Sequence, residues 1–122
     1  MLTSPISDVD SMVAVCALDQ LEPFWGEAAL IGDTQIALFL LPDASIYAVS
    51  NEDPATGSFV MSRGIVGSRG ARHTIASPLH KEVYDLETGE CFTTPGLRLP
   101  TFPVRVVDGQ VEVGTEPNVT DV

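Results

Sequence analysis

The chain has 122 residues, 44% of them apolar, with 17 acidic against 6 basic residues and a net charge of −11. That length supports one domain around one core. The acidic balance excludes nucleic acid, whose phosphates call for a basic surface, and no apolar run, 36–41 among them, is long enough to cross a bilayer as a helix.

In chain order, residues 1–10 are expected to be flexible. They lack the basic start and apolar centre of a secretory signal, so a cytoplasmic location is expected. Ten Gly and nine Pro favour short strands over long helices. A first strand is predicted over 12–18. Strands over 28–31 and 34–40 flank Gly32-Asp33, a tight hairpin turn. After the break at 41–44 a strand runs over 45–50, and a short helical turn is expected around 58–63. Strands over 72–76 and 81–85 bracket the Ser77-Pro78-Leu79-His80 loop, where Pro78 removes a backbone donor. Asp108-Gly109 marks the last hairpin and sets its register: Val106 faces Val111, Val104 faces Val113 and Arg105 faces Glu112. Residues 115–122 read as a disordered tail, leaving 11–114 as the domain. Asn118-Val119-Thr120 matches a glycosylation sequon, which a cytoplasmic chain would not use.

Few motifs carry chemistry. Cys16 and Cys91 have no Cys-x-x-Cys spacing and read as reduced, buried or half-buried thiols. The glycines at 64, 67 and 70 lack the Gly-Lys-Ser/Thr of a phosphate loop and are read as turn residues. Asp53, His73 and His80 share no spacing that would gather them on one metal, and Ser77 with His80 lacks an orienting carboxylate. Arg63, Arg69, Arg72 and Lys81, with His73 and His80, concentrate positive charge in one segment of an acidic chain. They read either as solvated loop residues or as a basic spot that steers a partner.

Residues 47–86 resemble the outline of a Rieske iron–sulfur site. Such a [2Fe–2S] centre takes two thiolates and two imidazoles, arriving as Cys-x-His and Cys-x-x-His loops. Here Asn51 and Asp53 stand in the first pair's places, and Ser77 and His80 in the second's. Three of the four ligands are absent, so the frame is expected to hold no metal.

Four segments, Ser50-Asn51-Glu52-Asp53-Pro54, Met61-Ser62-Arg63-Gly64-Ile65-Val66-Gly67, Ser77-Pro78-Leu79-His80-Lys81 and Leu86-Glu87-Thr88-Gly89-Glu90-Cys91, with the closing hairpin, resemble the small subunit of bacterial NAD(P)H-dependent nitrite reductase. The resemblance covers about residues 12–113. It implies an all-β, Rieske-like antiparallel sandwich or partly open barrel, no cofactor and no catalytic residue in this chain, and a large catalytic subunit as partner. That partner would carry FAD, siroheme and [4Fe–4S] and reduce nitrite to ammonium in nitrate assimilation. The exposed loops at 51–57 and 77–81, with Arg63, Arg69, Arg72, His73 and Lys81, are expected to dock it. A cluster-bearing Rieske ferredoxin and a stand-alone binding module are the alternatives.

Overall fold

The computed structural model describes residues 12–79 and 82–118. Its strands are β1 (Met12–Ala17), β2 (Glu27–Ile31), β3 (Thr34–Leu40), β4 (Ile46–Ser50), β5 (Ile65–Arg69), β6 (Arg72–Ala76), β7 (Val83–Asp85), β8 (Thr101–Phe102), β9 (Val104–Val107) and β10 (Gln110–Gly114), with 3-10 turns at Leu18–Gln20 and Met61–Arg63. They form three open sheets, in the orders β1-β10-β9, β2-β3-β4-β8 and β5-β6-β7. Every pairing between these strands is antiparallel. This is the expected all-β architecture.

The apolar run at 36–41 explains the layering. Successive side chains of a strand point to opposite faces, and Ile36, Ala37, Leu38 and Phe39 are all fully buried. Ile36 and Leu38 pack with Val111, Val113 and Phe102, on the side of the β1-β10-β9 sheet. Ala37 and Phe39 pack with Ile75, Tyr84, Leu86 and Leu99, on the side of the β5-β6-β7 sheet. A single core was the expectation from length. Instead β3 is buried on both faces, and two clusters share it as a common wall.

The hairpins follow from their turns. Ile31 pairs with Thr34 across Gly32-Asp33, and Gly32 has φ +58°. Asp108 and Gly109 both take positive φ, 52° and 77°, the backbone a two-residue turn of matching twist requires. The pairs Val106–Val111, Arg105–Glu112 and Val104–Val113 are those the turn predicts. Arg105 Nε lies 2.7 Å from Glu112 Oε1 on the outer face, while Val111 and Val113 are fully buried on the inner one.

Two local readings differ from the structure. The glycines at 64, 67 and 70 were expected to be turn residues, and Gly64 and Gly70 are, Gly70 with φ +63°, but Gly67 lies inside the strand Ile65–Arg69 paired with β6. Gly67 lies opposite Thr74, and a Cβ there would come 3.3 Å from Thr74 Oγ1. Of the tail expected to be disordered, residues 119–122 lie outside the described residues, while Asn118 is tied down: its N–H donates to Thr101 O (2.7 Å) and its amide to Thr101 Oγ1 (3.0 Å).

Candidate functional site

The loops carrying the ligand-like positions meet. Asn51 follows β4 and Ser77 follows β6, and Asn51, Asp53 and Ser77 are buried, with 3%, 0% and 2% exposure. Ser77 Oγ donates to Asp53 Oδ2 at 2.5 Å, joining the two loops. Asp53 Oδ1 accepts the Ala55 N–H at 2.9 Å, and the Asp53 carbonyl accepts the Gly57 N–H at 2.7 Å. Ser77 Oγ in turn accepts the Leu79 N–H at 3.2 Å. A buried carboxylate is costly unless its oxygens are hydrogen-bonded, and each oxygen here has a donor.

Asn51 works on the neighbouring turn. Its Oδ1 accepts the Ser62 N–H at 2.7 Å, and its amide donates to Gln35 Oε1 at 3.1 Å. Its carbonyl accepts the Met61 N–H at 3.0 Å. Asn51 thereby pins the Met61–Arg63 turn against β3. Tyr84, fully buried, is within reach of the Asp53 charge. Burial first, and that charge second, push its phenol far above the usual range. Its hydroxyl has no hydrogen-bond partner among the described residues.

This donor set does not fit a [2Fe–2S] cluster. An amide, a carboxylate and a hydroxyl supply neither thiolate nor imidazole, and the side-chain oxygens of all three already accept or donate hydrogen bonds within the protein. Among the described residues no group of three or more His, Cys, Asp or Glu side chains is arranged to hold a metal. His80 lies outside the described residues, as does Lys81.

The basic segment is not one patch. β5 and β6 pair from Ile65–Ala76 at one end to Arg69–Arg72 at the other, a span of about 13 Å at the usual rise per residue. Ser77 and Arg63 adjoin the first end; Arg69, Arg72 and His73 adjoin the second. Proximity in sequence to the ligand-like loops does not bring these last three to them. They are also engaged. Arg69 lies 4.9 Å from the Phe92 ring centroid, and His73 Nε2 lies 3.4 Å from Asp43 Oδ2. Arg72 Nε meets the buried Asp85 at 2.6 Å. Burial alone would raise the Asp85 carboxyl, but Arg72 and the N–H groups of Glu87 and Thr88 outweigh it and hold it below the usual range.

A feature not read from the sequence lies beside Arg63. A groove of about 620 Å³ runs between residues 24–26 and 62–66 and is lined by Phe24, Trp25, Ser62, Arg63 and Ile65, among others. Trp25 is 70% exposed and Ile65 72%. The walls are in close contact, since a Cβ on Gly26 would stand 2.1 Å from Ser62 O. The available signal was the chain's one Trp beside a Phe in a Pro-Phe-Trp-Gly turn.

Residues 11–114 match the family described as a Rieske-like [2Fe-2S] domain. The chain is 34% identical over 100 residues to the nitrite reductase (NADH) small subunit of Escherichia coli K12, covering 81% of this chain and 93% of that one. It is 35% identical over 103 residues to the nitrite reductase [NAD(P)H] large subunit of Klebsiella oxytoca, 84% of this chain against 11% of that one. Among solved structures, the nitrite reductase [NAD(P)H] small subunit from Erwinia carotovora superposes with a TM-score of 0.73 at 31% identity, covering 93% of this chain and 91% of that one.

Proposed function

Because this chain belongs to the Rieske-like family that includes the nitrite reductase small subunits, we propose that it is a small subunit of NAD(P)H-dependent nitrite reductase that binds no cluster and acts by association. The observation that carries the reading is the fate of the ligand-like positions: Asp53 and Ser77 bond to each other, and Asn51 holds the adjacent turn. Such a frame has no site for an electron and offers a rigid surface instead. The Klebsiella match supports the choice of partner, because there a homologous segment is part of a large-subunit chain. The large subunit carries FAD, siroheme and [4Fe–4S], and reduces nitrite to ammonium for nitrate assimilation. The pair works in the cytoplasm, where Cys16 and Cys91 stay reduced.

The test is co-expression of the chain with the large subunit of its own source, followed by sizing of the purified material. A stable two-subunit complex with nitrite-dependent NAD(P)H oxidation supports the reading. Separate elution of the two chains at micromolar concentration sinks it.

A further inference from the structure

Resting on that reading, we infer that the groove between residues 24–26 and 62–66 is where the large subunit docks, seating an apolar side chain against Trp25 and a carboxylate against Arg63. Three independent observations converge there.

The first is exposed apolar surface in one place. Phe24, Trp25 and Ile65, 55%, 70% and 72% exposed, line a single groove. Large apolar side chains scattered singly on a surface need no explanation, whereas contiguous ones mark contact sites.

The second is that the backbone is built to hold them there. Phe24 has φ +72°, a conformation that bulky side chains seldom adopt and that persists only where surroundings impose it. Its N–H donates to Leu40 O at 2.9 Å. Opposite, the turn bearing Arg63 is fixed by the Asn51 side chain through Ser62. A position that would ligate iron in a Rieske protein here positions a wall of the groove.

The third is charge. Arg69 stacks on Phe92, Arg72 meets Asp85, Arg98 donates to Thr88 O and Arg105 meets Glu112. Among the described residues, only the Arg63 guanidinium has no intramolecular partner, although the chain holds 17 acidic residues. An unpaired arginine beside an exposed tryptophan is the composition in which binding energy concentrates at interfaces, and its charge selects an acidic group opposite. A second copy of this chain is a poor occupant. Each copy carries −11, and a two-fold contact through the groove would bring one Arg63 toward the other.

Binding of the full-length chain to the purified large subunit tests this, with Trp25→Ala, Arg63→Glu and, as a control outside the groove, Leu30→Ala. The expected result is a loss of at least about tenfold in affinity for Trp25→Ala. Arg63→Glu should weaken binding and flatten its salt dependence, and Leu30→Ala should bind as wild type. Wild type failing to bind would overturn the small-subunit reading itself. Wild type binding with both groove variants within twofold of it would overturn the groove alone, as would variants that altered only self-association. A measurement without substitution covers any variant that fails to fold: 5-fluorotryptophan gives this chain a single fluorine resonance. On addition of unlabelled large subunit that resonance should shift and lose its solvent-isotope effect; an unmoved resonance in a formed complex contradicts the proposal.

Discussion

Ser77 and Tyr84 pose opposite problems in the same buried neighbourhood. The Ser77 hydroxyl satisfies a carboxylate that has no access to water, whereas the Tyr84 hydroxyl has no partner among the described residues. Removing a hydrogen bond to a buried charge costs about 1.5–3 kcal/mol, so Ser77→Ala should lower unfolding free energy by that amount. Removing an unpaired polar atom carries no such loss, so Tyr84→Phe should be neutral or stabilising by up to about 1 kcal/mol. Urea unfolding with an unchanged slope measures both. A marked loss for Tyr84→Phe would mean that the hydroxyl has a partner. Arg72 and Asp85 give the corresponding pH test. The Asp85 carboxyl is held low in the fold, so its contribution is present above the unfolded carboxyl range of about pH 4 and is lost as pH falls through the folded value. Arg72→Gln should reduce stability at neutral pH and flatten the fall below about pH 4. An identical acid limb in wild type and variant would contradict the pairing.

At the scale of elements, Gly89 shows how little latitude the loops have. Its φ is +81°, and a Cβ would stand 1.9 Å from Leu99 O. Both the left-handed backbone and the close approach exclude a side chain, so Gly89→Ala should cost more than about 1 kcal/mol, read from its urea midpoint. The same scale shows what was legible in the sequence. The β9–β10 register could be read because Asp108-Gly109 is a local signal and the strand period fixes every pair outward from it. β5 was missed because Gly64, Gly67 and Gly70 look like turn residues, and pairing with β6 is a non-local cause that spacing does not reveal. The loops with Asn51, Asp53 and Ser77 were placed together through a family outline, and the Asp53–Ser77 bond joins them. The basic segment could not be placed from spacing because a hairpin carries sequence neighbours to opposite ends of a strand. The groove was hidden for the converse reason: Trp25 and Arg63 are 38 positions apart and meet only after β2–β3 packs on the turn bearing Ser62.

Over the whole molecule, 17 acidic side chains against 6 basic ones leave a self-repelling surface. Screening shortens the range of that repulsion from about 30 Å at 0.01 M salt to about 3 Å at 1 M. The thermal midpoint of the isolated chain should therefore rise between these two salt concentrations; scanning calorimetry showing a fall would mean that its attractive pairs dominate. The same field makes the exposed Arg63 conspicuous to an acidic partner. Among the described residues no helix is long and apolar enough to cross a membrane. On the function proposed here, this domain differs from an electron carrier of the same shape in its ligand-like positions, where Asp53 and Ser77 bond to each other in place of bonds to iron. Iron and acid-labile sulfide analysis with visible absorption, on protein purified anaerobically from iron-replete cells, tests that most directly. Colourless protein with iron and sulfide far below one atom per chain is the predicted result. Two irons and two sulfides per chain with a [2Fe–2S] spectrum would contradict it.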